Sequence, residues 1–157
     1  MKEYRLSSDN NLITINRLVE IVNTVPQRLR QISSKEFSNK PSPDKWSKKQ
    51  ILGHLIDSAT NNHHRFVRVQ FEDKPGISYQ QNKWNDHGYY QERDGDHIIA
   101  FWELYNRHLV ELMRRIPKEL LTKECNMGDG EFRAIEWLFD DYVRHLEHHL
   151  GQIFDGA

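Results

Sequence analysis

Thiols are nearly absent from this sequence: Cys125 is the single cysteine among 157 residues. A lone cysteine cannot close an intrachain disulfide, and without a second thiol it cannot found a zinc knuckle. It sits in the Gly-rich stretch KECNMGDG and reads as an incidental loop thiol. Long apolar runs are missing too. None approaches the roughly 20 residues that a membrane-spanning helix needs, and the opening MKEYRLSSDNNL lacks the apolar stretch of a secretory signal. The expectation is a cytoplasmic protein with no membrane partner. Neither charge is in excess, since 22 basic residues face 23 acidic ones and no Lys/Arg block stands out, which speaks against a nucleic-acid partner. No internal repeat, low-complexity tract, linker or convincing strand pair divides the chain. Residues 1–157 are therefore expected to form one domain, large enough to bury about two-thirds of its unfolded surface.

What the sequence does have is helical periodicity, in four segments. From Leu12 to Ile32 the apolar positions Ile15, Leu18, Val19, Val22, Leu29 and Ile32 recur at spacings of three, four and seven, with a kink predicted at Pro26. After a Pro/Ser-rich break, Ser47 with Gln50 three residues on forms a capping box opening a second helix over about Ser47 to Phe71. Residues 72–96 show no periodicity, yet Trp84, Tyr89 and Tyr90 argue against disorder there. Asp96 is the expected cap of a third helix whose face reads Ile98, Phe101, Trp102, Tyr105, Leu109, Leu112 and Ile116. A fourth runs from about Ala134 to Phe154. The fold class this implies is all-α, a four-helix bundle.

Histidine is plentiful, with nine in all. In HLEHHLGQI the apolar stripe of the last helix centres near Ile135 and Leu146. At about 100° per residue His149 and His145 fall on its flank, while His148 points away. Two imidazoles at i and i+4 stand one above the other and can share an ion. On the second helix, His54 lies at the edge of the stripe Ile51, Leu55, Ala59, Phe66 and Val69, in line with Ser58, Asn61 and Arg65. Three neutral imidazoles with open positions are the ligand count of a catalytic metal site, and they suit zinc, nickel, copper, iron or cobalt. His63, His64, His87, His97 and His108 read as structural or surface residues.

The segments PDKWSKKQILGHLIDSATNNHHRF and WLFDDYVRHLEHHLGQI resemble the DinB/YfiT-like superfamily of metal-dependent enzymes, over about Trp46 to Ile153. Trp46, His54, Leu55, Asp57 and Ser58 match the family's second-helix motif, and His145, His148 and His149 its HxxHH. The resemblance implies that His54, His145 and His149 are the metal ligands, the same three that helical phase selects. It also implies an up-down-down-up bundle, zinc or nickel as the ion, a homodimer, and in some members transfer of a low-molecular-weight thiol.

A thiol S-transferase acting on a small-molecule substrate is thus the leading expectation, because a divalent cation stabilises a thiolate at neutral pH. The alternatives are a metal-dependent hydrolase and a non-enzymatic bundle tied together by its ion. Ser58, Asn61 and Arg65 are the candidate substrate-binding residues. Asp57 is a candidate acceptor for an imidazole N–H, and His87 or Glu92 would be the source of any fourth ligand. Trp84, Trp102, Tyr89 and Tyr90 are candidates for the dimer interface.

Overall fold

The computed structural model describes residues 2–155, with side chains from Asn10 onward. Four long helices carry the fold: α1 (Lys2–Arg30), α3 (Lys48–Arg68), α5 (Gly95–Arg115) and α6 (Ile135–Asp155). Two short helices, α2 (Ser34–Ser38) and α4 (Gln81–Gly88), and single 3-10 turns at Tyr90–Glu92 and Lys118–Leu120 fill the connections. None of the described helices is long and apolar enough to cross a membrane.

Around the bundle α1 neighbours α5 and α6, and α3 neighbours the same two, so α1 and α3 lie on a diagonal. Side-chain contacts give the directions. Arg30 bonds Glu103 while Arg107 reaches Val22 and Asn23, so α1 and α5 run antiparallel. Arg17 meets Glu147 and Arg28 stacks on Phe154, so α1 and α6 run parallel. His54 lies against His145 while Phe66 packs on Phe139, so α3 opposes α6. The order is up, down, down, up.

The last helix buries the face that its periodicity marks. On α6, Ile135, Leu138, Phe139, Tyr142, Leu146 and Ile153 are all buried, each side chain contributing about 1.5–3 kcal/mol relative to exposure. Ser47 caps α3, accepting from the Gln50 N–H at 3.1 Å while Gln50 Oε1 accepts from the Ser47 N–H at 2.9 Å, so the predicted capping box is present.

Other expectations need correction. α1 starts ten residues before Leu12 and ends two residues before Ile32. It continues through Pro26, where the missing N–H leaves the Val22 carbonyl without its helical donor; Arg107 Nη2 supplies one at 3.2 Å. The cap of α5 is Asp94, whose carboxylate accepts from the Asp96 N–H at 3.3 Å. α5 is also rotated from the predicted face, burying Ile99, Asn106, Val110 and Met113 and leaving Phe101 at the surface. Buried Asn106 accepts from the Tyr142 hydroxyl at 2.5 Å, which is why a polar residue occupies that face.

A strand pair exists where none was expected. β1 (Glu124–Asn126) pairs antiparallel with β2 (Phe132–Ala134), and strands of three residues are too short to show a period of two. The turn between them uses positive φ at Gly128 and Gly130. Cys125 is consequently a fully buried strand residue and not a loop thiol, and burial pushes its pKa up, away from reactivity.

Candidate metal centre

His54 comes to the centre of the molecule because α3 is covered on several sides, by α5, α6, α4 and the turn at Tyr90–Glu92. Its ring is completely buried. Next to it Gly53 lets the Tyr90 ring approach so closely that a Cβ there would lie 2.2 Å from a ring carbon. Antiparallel to α3, α6 presents His145 and His149 one turn apart on the flank of its buried stripe. His148, between them, is exposed.

The three imidazoles converge. Ring centroids lie 5.0 Å apart for His54 and His145, 4.7 Å for His54 and His149, and 4.5 Å for His145 and His149. One ligand atom from each falls within 4.8 Å of the others. Nε2 of His54 and Nε2 of His145 are 3.1 Å apart. Two ligands held about 2.0–2.1 Å from one tetrahedral ion are separated by roughly 3.3 Å, so the spacing fits a shared metal.

Protonation favours it as well. His149 Nδ1 is 2.8 Å from Gln152 Oε1, an atom that only accepts, so Nδ1 carries the proton and Nε2 keeps its lone pair. Burial, reinforced by the neighbouring imidazoles, holds His54 down at about 3 and His145 at about 4, and burial lowers His149 too. The rings are neutral at physiological pH, as ligation requires. At 3.1 Å the His54 and His145 Nε2 atoms can share either a proton or a metal ion, and binding an ion would displace that proton.

The outer contacts of the cluster are uneven. Ser58 Oγ lies 3.5 Å from His145 Nδ1, and the Trp46 ring leans on His54 with centroids 5.1 Å apart. His54 Nδ1 is buried without a partner. Asp57 does not accept from it. One Asp57 oxygen accepts from the Tyr90 hydroxyl at 2.6 Å, the other is buried and unpartnered, and burial raises the carboxyl to about 6.

Of the polar strip, only Ser58 reaches the histidines. The Asn61 amide donates to the Asp57 carbonyl within its own helix. Arg65 is buried and donates to the Ile77 carbonyl at 2.9 and 3.2 Å and to Asn62 at 3.4 Å, which ties Ile77 to α3. His87 bonds the Lys83 carbonyl in exposed α4, Glu92 is exposed, and neither joins the cluster. Among the described residues the cluster thus offers three possible ligands, the number found in open sites.

Two residues beside the site carried no role in the sequence reading, Trp46 and Gln152. Both line a cleft of about 910 Å³ together with Asn39, Asp44, Lys48 and Asp86, and each also touches the cluster, Trp46 against His54 and Gln152 against His149. Gln152 stands at i+3 from His149, a spacing that does signal a helical partner. Trp46 was visible only as part of a motif.

Comparison with known proteins follows the same lines. The sequence profile described as the DinB superfamily matches residues 17–153. A protein of Halalkalibacterium halodurans named "Putative metal-dependent hydrolase" is 23% identical over 144 residues, covering 88% of this chain and 84% of that one. YfiT of Bacillus subtilis, which carries the same description, is 22% identical, covering 88% of this chain and 81% of its own. The solved structure of YfiT, described as having an unusual four-helix bundle topology, superposes with a TM-score of 0.77 at 21% identity, covering 90% of this chain and 84% of that one. The DinB-like YjoA of Bacillus subtilis follows with a TM-score of 0.64 at 15% identity, covering 91% and 87%.

Proposed function

The chain belongs to the DinB superfamily, and on that premise we propose that it is a metal-dependent hydrolase whose divalent ion is held by His54, His145 and His149. The observation that carries this reading is the convergence of three neutral imidazoles beside Trp46 and Gln152, two residues that line a cleft, with no fourth protein ligand among the described residues. The names of the relatives support hydrolysis. Zinc and nickel both suit three imidazoles. A divalent ion bound there supplies a Lewis acid that polarises the substrate and makes a nucleophile available at neutral pH.

The chain's own residues do the rest. Gln152 fixes the tautomer and orientation of His149. The Ser58 hydroxyl steadies His145, and Trp46 covers His54 on its cleft side and limits solvent there. Lys48, Asp44 and Asp86 make the cleft polar and mixed in charge, which fits a small polar substrate.

Thiol S-transfer is the second reading. What favours it is that the cluster contains imidazoles alone and no carboxylate placed to take a proton from water, whereas a thiol is acidic enough to enter as thiolate. One pair of measurements separates the two. Zinc- or cobalt-loaded protein is assayed on a panel of esters, amides and lactams, then titrated with glutathione, bacillithiol or mycothiol. Hydrolysis that is lost in His145→Ala, with no sulfur-to-cobalt charge-transfer band, supports the hydrolase. A band together with thiol transfer supports the transferase. Neither activity in fully metallated protein would leave the ion a purely structural tie.

A further inference from the structure

A second pair of histidines meets elsewhere in the bundle. His63 lies on α3 and His108 on the neighbouring α5, and their rings are 5.0 Å apart at an angle of 74°. The His54 and His145 rings of the metal cluster are 5.0 Å apart at 73°. The two pairs are therefore alike in ring separation and tilt, close enough for two imidazoles to reach one ion.

The surroundings of His63 add to this. Its Nδ1 lies 2.9 Å from the Tyr105 hydroxyl oxygen. With Nδ1–H donating to that oxygen, Nε2 keeps its lone pair, the polarity that metal-bound imidazoles take when an outer group orients them. Tyr105 and His108 are one turn apart on α5, so a single helix face supplies both the orienting hydroxyl and the second ring. His108 is exposed, and no ring nitrogen of His108 makes a hydrogen bond among the described residues. Half-burial of His63 and the adjacent His108 and His64 rings also keep it neutral.

We propose that His63 and His108 form a second site for a divalent transition-metal ion of the zinc, nickel and copper class, in the outer groove between α3 and α5 and oriented by Tyr105. Two protein ligands leave the remaining positions to solvent, so this site is the weaker of the two. His54 and His63 are nine residues apart on one helix, about 13 Å at 1.5 Å per residue. That is too far for a dinuclear centre, whose ions lie roughly 3.5–4 Å apart. The two sites load independently, one joining α3 to α6 and the other α3 to α5.

The test is a zinc titration of untagged protein by calorimetry, with bound metal measured after dialysis. Wild-type protein should show two classes of site. His63→Ala/His108→Ala should lose the weaker class alone, and His145→Ala the tighter class alone, so the two assignments fail separately. Tyr105→Phe should weaken the second class about tenfold. Copper added to His145→Ala protein should give an electron paramagnetic resonance spectrum with imidazole nitrogen coupling that disappears when His108 is also replaced. His108 is exposed, so His108→Ala alone serves if the double variant folds poorly. A single class in the wild type, or two undiminished classes without His63 and His108, overturns the proposal.

Discussion

His145 and His148 are the same residue three positions apart on α6, yet one lies in the cluster and the other is exposed. Helical phase alone separates them, and so should mutation. His145→Ala and His54→Ala are expected to abolish tight stoichiometric metal binding, measured by metal analysis after dialysis, while His148→Ala leaves it within about twofold. Equal losses would break the assignment. This much was legible because 3.6-residue periodicity fixes which way a ring points relative to a core stripe. The partners of the polar strip were not, because helical phase gives direction and not contacts. Arg65 follows His54 along the helix and donates to the Ile77 carbonyl, a partner brought in by a connection with no periodicity of its own. Asp57 gives a pH prediction. Its folded pKa of about 6 is raised above the unfolded value of 3.8, so the protonated form stabilises the fold. That contribution is full below about pH 4 and is lost as pH rises through 6. Asp57→Asn, which keeps an acceptor for Tyr90, should abolish this part of the decline in thermal midpoint between pH 4 and 6. An unchanged profile would contradict it.

At the scale of elements, α3 depends on what packs behind it. Gly53→Ala would drive a methyl into the Tyr90 ring and should cost about 1–3 kcal/mol or more, while breaking the Tyr90 to Asp57 bond. Denaturant unfolding measures it, and a loss below about 0.5 kcal/mol would mean that the turn at Tyr90–Glu92 does not hold that position. Ser47→Ala removes the α3 cap and a 2.5 Å bond to Gln91, for an expected loss of about 1 kcal/mol or somewhat more. The long helices and the Ser47 cap could be read from sequence because each repeats a pattern over five turns or carries a capping box. α4 could not. It has eight mostly polar residues, and it is anchored through a tertiary bond from Asn85 to the Gln50 carbonyl, which no local pattern announces. The shift of the α5 cap from Asp96 to Asp94 has a similar origin, since two aspartates separated by one residue offer equivalent caps until packing selects one.

For the whole molecule, the diagonal placement of α1 and α3 is what lets α3 and α6 meet antiparallel over the histidines. A bound ion that joins them should raise the thermal midpoint of wild-type protein and leave that of His145→Ala little changed at one equivalent. We also propose a homodimer. Trp102 and Tyr90 are core residues and cannot serve an interface, but Trp84 and Tyr89 are 40% and 62% exposed and, with Phe101 and Leu104 on α5 at 43% and 66%, are available to one. A monomeric mass by light scattering at micromolar concentration and above would refute it. The central claim is that three histidines from α3 and α6 hold one ion in an open site. X-ray absorption at the zinc edge, on protein loaded with a single equivalent, tests it most directly. The account predicts three imidazoles at about 2.0–2.1 Å, no sulfur, and a changed spectrum in His145→Ala. A sulfur ligand, a fourth protein ligand, or a spectrum indifferent to that substitution would contradict it.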